Sequence, residues 1–246
     1  MRYLILSDIH ANAEALDAVL ADSAGEYDEI LCCGDLVGYN ASPVEVVDWA
    51  QAHCRISIRG NHDKVVAGLE GLEWFNEVAQ ASALWSRQQL SADQLSWLRN
   101  LPAGPIQDET CTLFHGAPFD EDCYVLTPDE SAECFAYLNT EASFFGHTHV
   151  QGGFFLRKRQ VGLLKAVPRD EREYTIEIEP DSVFMFNPGS VGQPRDGDPR
   201  AAYALFTPQQ RAVTLRRVDY PIRVTFEKIR DAGLPEVLGL RLFKGF

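Results

Sequence analysis

What is scarce in these 246 residues narrows the reading first. No apolar run approaches the roughly eighteen residues that a membrane span needs, so no membrane partner is expected. The opening Met1–Ser7 runs straight into Asp8, with no h-region and no small-residue cleavage site, and a cytoplasmic location is therefore expected. The six cysteines (Cys32, Cys33, Cys54, Cys111, Cys123, Cys134) form no C-x-x-C pair. In a reducing compartment they read as small buried apolar residues, and their spacing gives a zinc knot little support. Basic charge is short as well. The 22 Lys and Arg stand against 36 Asp and Glu, a net charge of −14, which disfavours clamping long nucleic acid by its phosphates. Two bound divalent cations would reverse that sign locally, so a phosphate can still be drawn to one spot. Repeats, low-complexity tracts and Ser/Gly linkers are absent, and a single domain over 1–246 is expected.

What is present begins with β/α alternation. Arg2–Leu6, Glu29–Cys33 and Arg55–Arg59 read as strands, with helices expected from about Asn12 to Ser23 and from a Ser42-Pro43-Val44-Glu45 capping box to near His53. Trp74–Leu90 has helical periodicity, and Ser91-Ala92-Asp93-Gln94 opens a further helix that Leu101-Pro102 closes. Cys111–His115 and Ala142–Phe145 read as strands on either side of a helix opened by the capping box Thr127-Pro128-Asp129-Glu130. The last third changes character. Phe154–Arg159, Tyr174–Glu179, Val183–Asn187, Ala202–Phe206 and Ala212–Val218 are strand-like, and short helices follow Pro221 and Pro235. Units of βαβ followed by a meander predict two packed sheets with helices outside.

The polar residues fall at the ends of the predicted strands: Ser7-Asp8-Ile9-His10, Gly34-Asp35, Gly60-Asn61-His62-Asp63, His115-Gly116 and Gly146-His147-Thr148-His149. Open α/β sheets build their sites at such ends. Asp8 and His10 are two apart, as are His147 and His149, and in extended chain each pair would face one common centre. The set supplies Asp, His and Asn and no thiolate, which suits manganese, iron, zinc or nickel and is too rich in imidazole for calcium. If the segments converge, Asp35 could bridge two ions roughly 3.5–4 Å apart, which acidify a shared water and polarise a phosphoryl group. A general acid is then wanted on the leaving-group side, and His62 is the natural candidate because its ordinary pKa lies near working pH.

The ordered set D-x-H (Asp8, His10), GD (Gly34, Asp35), GNHD (Gly60–Asp63), HG (His115, Gly116) and GHTH (Gly146–His149) resembles the calcineurin-like metallophosphoesterase superfamily, and more closely its small bacterial and archaeal phosphodiesterase-like branch. Asn187-Pro188-Gly189-Ser190 is similar to that branch's loop beside the site. The resemblance implies an α/β (α+β) four-layer αββα sandwich of two mixed β-sheets flanked by helices, with a helical insertion at about 64–101 between the third and fourth motifs. It implies a first metal held by Asp8, His10, Asp35 and His149, a second held by Asp35, Asn61, His115 and His147, and His62 in the general-acid place. The implied cofactors are two divalent ions, manganese first, with iron, zinc, nickel or magnesium as alternatives. The implied partner is a small phosphate-ester substrate, a phosphodiester or phosphomonoester. The protein Ser/Thr phosphatases and symmetrical dinucleoside tetraphosphate hydrolases carry an acidic or polar residue and then Arg in the second motif. Gly34-Asp35-Leu36-Val37-Gly38-Tyr39-Asn40 has neither, and both substrate classes are demoted. A scaffold that keeps the fold without catalysis is the rival class, and a nucleotide or short-oligonucleotide phosphodiesterase is a third reading.

Plainer roles compete for several residues. Asp63 either orients His62 or caps the helix that follows. Arg59 either faces the phosphate, alongside Asn61, or forms a surface salt bridge. His53 reads as a helix C-terminal residue. Asn187 and Ser190 read as loop-shaping. Trp74, Phe75, Trp85 and Trp97 read as packing, with a lip over the site as the alternative. Arg157-Lys158-Arg159 reads as a solvated hairpin edge. Nothing in the sequence specifies an oligomeric state.

Overall fold

A computed structural model describes residues 1–246. In chain order its elements are β1 (Tyr3–Leu6), α1 (Ala13–Asp22), β2 (Glu29–Cys32), α2 (Pro43–His53), β3 (Cys54–Ser57), α3 (Asn61–Val66), α4 (Glu77–Gln89), α5 (Ala92–Asn100), β4 (Ile106–Gln107), β5 (Thr112–Leu113), α6 (Pro128–Cys134), β6 (Ala142–Phe144), β7 (Gly152–Arg157), β8 (Gln160–Leu164), β9 (Glu173–Glu177), β10 (Ser182–Asn187), β11 (Ala201–Thr207), β12 (Ala212–Val218), α7 (Ile222–Asp231) and α8 (Val237–Leu242).

They make two mixed sheets of six strands, ordered β3-β2-β1-β11-β12-β9 and β4-β5-β6-β10-β7-β8. In the first sheet β1 runs parallel to β2 and antiparallel to β11, with Tyr3 opposite both Glu29 and Phe206. In the second, β6 runs parallel to β5 and β10, while β7 and β8 form an antiparallel hairpin beside β10.

Strand periodicity explains the layering. Tyr3 and Ile5 of β1 join Leu31, Leu113, Phe144, Phe184, Phe186, Phe206 and Leu215 in a core that draws on both sheets. Their neighbours Leu4 and Leu6 point the other way, onto Leu16 and Val19 of α1 and Val46, Val47 and Ala50 of α2. On the far face of the second sheet, Phe145, Phe154 and Met185 pack with Cys134 at the end of α6 and with Phe135. The result is helix, sheet, sheet, helix, as the resemblance implied. Because both faces of β1 are covered, it reads as an unbroken apolar run.

Local expectations fared unevenly. The boxes at Ser91 and Thr127 form as reciprocal caps, with Gln94 and Glu130 reaching back to the cap N–H. Ser42 makes no side-chain cap bond, and Pro43 at the first helical position carries that start instead. The strand expected over Phe154–Arg159 is a hairpin: Lys158 (φ 50°) and Arg159 (φ 67°) are its turn, in the left-handed pair of conformations that matches strand twist. The basic run thus sits at the tip beside edge strand β8. The helix expected from Trp74 starts at Glu77, because Asn76 caps Ala79 N–H. No helix is long and apolar enough to cross a membrane.

Candidate metal centre and active site

The parallel strands β1, β2 and β3 end on one edge, and β5 and β6 deliver their ends to meet them. After each strand the chain turns sharply. Asp8, His10, Asp35, His147 and His149 all have φ between 47° and 65°, a left-handed conformation that costs non-glycine residues energy and gathers at functional sites. Hydrogen bonds from Asp8 N–H to Gly34 O (3.0 Å), His10 N–H to Asp35 O (3.0 Å) and Gly146 N–H to His115 O (2.9 Å) knit the tips together. Glycine is required where they touch. A Cβ at Gly60 would lie 2.1 Å from Asp35 Oδ1, and one at Gly146 would lie 1.9 Å from Ser7 Oγ.

Two ligand groups result, Asp8, His10, Asp35 and His149 in one and Asp35, His115 and His147 in the other, each with donor atoms within 4.8 Å of one another. Asn61 stands beside the second: its Oδ1 lies 3.2 Å from His115 Nε2 and 3.0 Å from His147 Nδ1. Asp35 belongs to both groups. Its Oδ2 stands 3.4 Å from His10 Nε2 and 3.4 Å from His115 Nε2, while Oδ1 accepts His62 N–H at 2.8 Å.

The expectation that each i, i+2 pair shares a centre holds for Asp8 and His10 and fails for His147 and His149. All four residues have left-handed backbone, so strand alternation places neither pair, and the rings of His147 and His149 go to different groups.

The chemistry of the donors fits cations. His10, His115 and His149 each place Nδ1 on a carbonyl, of Val37 (2.9 Å), Cys33 (2.8 Å) and Gln193 (2.6 Å), and His147 places Nε2 on Asp122 O at 3.1 Å. In a neutral ring the other nitrogen is then a bare lone pair aimed inward. Burial favours that neutral form: it lowers His10 to about 4, His147 to about 3 and His149 well below the ordinary histidine value. His10 Nε2 and His149 Nε2 face each other at 3.0 Å, where two lone pairs repel unless a positive charge lies with them. Asp8 Oδ2 is buried with no partner. Burial pushes the Asp8 carboxyl up to about 7, the protein's own resistance to an uncompensated buried anion. At His115 burial acts downward too, but the Asp35 charge and hydrogen bond outweigh it and lift the ring to about 10, the pull of a buried anion on any positive charge beside it.

The model of the calcineurin-like phosphoesterase superfamily domain matches residues 1–211. The chain belongs to this superfamily. The uncharacterized protein MJ0912 of Methanocaldococcus jannaschii is 36% identical over 98% of this chain and 97% of its own length. A metallophosphoesterase from Sphaerobacter thermophilus is similar at 38% identity and a TM-score of 0.86, covering 100% of this chain and 99% of its own. The protein PH1004 of Pyrococcus horikoshii, at 19% identity, shares the fold, with a TM-score of 0.74 and coverage of 100% and 98%. These likenesses place the chain in the small bacterial and archaeal branch. Its two clustered ligand groups make a binuclear metal centre, and the chain is a metal-dependent phosphoester hydrolase.

The phosphoesterase centre forms the floor of a cavity of about 370 Å³. His62 lines it, wedged against Tyr39 (4.4 Å between centroids), Phe75 (4.5 Å) and His10 (4.8 Å). Its Nδ1 is buried without a partner, and burial pushes the ring well below the ordinary histidine value.

Asp63 makes no bond to His62. Its two oxygens accept four main-chain N–H groups, those of Gly60 (3.0 Å), Asp35 (2.9 Å), Leu36 (2.9 Å) and Val37 (3.2 Å). It therefore caps α3 and pins the second motif to the third. Arg59 takes its salt-bridge alternative, donating to Glu121 at 2.8 and 3.2 Å, and is not among the cavity's lining residues. Asn187 donates to Gly146 O and Thr148 Oγ1, both at 3.0 Å, and Ser190 Oγ donates to Asp8 O at 2.8 Å, so both brace the ligand loops. His53 ends α2 with Nδ1 on Trp49 O at 2.8 Å. Trp74 and Phe75 line the cavity, as the lip reading had it, whereas Trp85 and Trp97 pack against the body of the protein.

Among the lining residues that escaped the sequence reading are Tyr39, Tyr124 and Arg195. Tyr124 covers His147 at 3.9 Å between ring centroids. Tyr39 lies just past the Gly34-Asp35 motif, and that proximity was the available signal.

Proposed function

We propose that the protein hydrolyses a small phosphate ester, with His62 protonating the leaving group and a phosphodiester preferred over a phosphoprotein. The observation that carries this reading is the sharing of Asp35 between two ligand groups on the floor of a cavity that His62 also lines. When bound, two divalent ions supply a water acidified toward neutral pH and a Lewis-acid grip on the phosphoryl oxygens. The chain's own residues do the rest. Asp8, His10 and His149 hold one side of the centre, Asn61, His115 and His147 the other, and the carbonyls behind the rings fix each tautomer. Tyr39 and Phe75 clamp the His62 ring and keep water from it. Burial leaves that ring neutral in the free protein, and an anionic phosphoryl group beside it favours the protonated form that an acid needs. Manganese is the first choice of metal, the all-N/O donor set also admitting iron, zinc, nickel or magnesium. The cytosol is the proposed compartment, consistent with six free cysteines.

A nitrophenyl phosphodiester assay with Mn²⁺ tests the reading. Asp35→Ala should lose about 10³-fold or more in rate, since both cations lose a ligand. His62→Ala should lose about 10²- to 10⁴-fold with an alkyl leaving group and far less with nitrophenolate, which departs without a proton. Equal rates for wild type and Asp35→Ala end the proposal.

One observation favours a nucleotide or short-oligonucleotide substrate as the finer reading. Trp74 stands 86% exposed at the cavity rim, where a planar base can stack on it.

A further inference from the structure

Two arginines, Arg195 and Arg200, lie within ten positions after the NPGS turn and a third, Arg217, faces them from β12, and they differ in one respect. Arg200 is held by Asp198, with Nη2 to Oδ2 at 2.6 Å, and Arg217 is held by Asp196. Arg195 has no carboxylate partner. Its Nη2 donates to Tyr39 Oη at 3.1 Å and Gln193 Oε1 at 3.3 Å, both neutral acceptors, and its Nε is buried with no acceptor at all. A half-buried guanidinium without a counter-charge is costly, and proteins seldom keep one unless an anion arrives.

Its position says which anion. Arg195 lines the same cavity as Asp35, Asn61, His62, His147 and His149. Its guanidinium lies over Tyr39, 5.5 Å from the ring centroid, and that ring touches both His10 (4.6 Å) and His62 (4.4 Å). The main chain beneath it is fixed, because Arg195 N–H donates to His149 O at 3.1 Å and Asp196 is tied to Arg217 and to Gln151 N–H. The side chain is thus a positive, pre-aimed fork beside the metal centre, suited to planar two-point recognition of a phosphoryl group.

We propose that Arg195 is the phosphoryl-gripping residue of this enzyme, oriented by Tyr39 and counter-charged only when a phosphate or phosphate ester occupies the cavity. The inference rests on the phosphoesterase reading, and phosphate binding tests it separately from turnover.

The experiment uses Mn²⁺-loaded protein, inorganic phosphate as the probe and titration calorimetry as the readout, with metal content measured on each sample. Arg195→Gln should bind phosphate about ten- to a hundred-fold more weakly than wild type at unchanged metal content, the range of a lost charge-assisted hydrogen bond. Arg195→Lys should recover part of that loss, because it restores the charge without the fork. In steady-state assays the loss should appear in KM for the ester as well as in kcat/KM. Phosphate affinity within two-fold of wild type in Arg195→Gln overturns the proposal, as does loss of metal from that variant, which would make the side chain a brace for His149. Should Arg195→Gln not fold, Arg195→Lys decides, since unaltered phosphate affinity there removes the need for a fork. A wild type that neither binds phosphate nor hydrolyses esters would instead sink the phosphoesterase reading itself.

Discussion

The two ligand groups are built from the same materials and differ in access. Asp8, His10 and His149 are 0–1% exposed and lie between the tips of β1, β2 and β6 and the NPGS loop. In the second group His115 is equally buried, but Asn61 is partly exposed and His147 lies under the half-exposed ring of Tyr124. One side of the centre therefore sits deeper in the core and reaches the cavity only through His149, while the other meets it through both Asn61 and His147. The difference teaches that a binuclear centre need not be symmetric in strength. A site sealed by packing dehydrates and holds its cation more firmly than one whose ligands meet solvent.

This asymmetry gives the largest expected effect. His10→Ala should abolish tight binding of the first cation and weaken the second through Asp35, while His147→Ala should leave one tightly held equivalent per chain. Metal titration with analysis after dialysis reads the difference, and two variants with identical stoichiometry would break the comparison. A smaller effect is expected behind the ligands. Asp63→Asn removes a carboxylate that accepts four N–H groups and replaces it with an amide that can satisfy only some of them, so metal affinity should fall about 10- to 100-fold. Its melting temperature should fall too, and a variant with wild-type affinity would confine Asp63 to capping α3. The smallest effect lies at the rim. Trp74→Ala should raise KM for a nucleotide diester about five-fold or more and leave KM for a simple alkyl diester unchanged, which sharpens the division between a fixed floor and a selective rim.

The sequence disclosed the floor better than the rim. Metal ligation needs particular side chains, and Asp8, His10, Asp35, His115, His147 and His149, which fall into the two candidate ligand groups, could be named because strand ends and residue chemistry coincide there. The geometry behind them was less legible. The i, i+2 spacing let His147 and His149 meet one centre, whereas their rings lie in two groups, and the left-handed backbone at Asp8, His10, His147 and His149 alike is not written in that spacing. Arg195 was invisible because nothing local marks it: it meets Tyr39 from 156 positions away, through a loop that only tertiary packing fixes. The sheets were readable wherever both faces are buried, as in β1. By contrast β8 lies at a sheet edge, where Gln160 and Gly162 interrupt its apolar Val161, Leu163 and Leu164.

Anomalous scattering from crystals of the Mn²⁺-loaded protein tests the central claim most directly. Two peaks roughly 3.5–4 Å apart, with the Asp35 carboxylate between them and His10 and His147 on opposite sides, are the expected result. A single peak, or a pair that leaves Asp35 touching only one ion, would contradict the account.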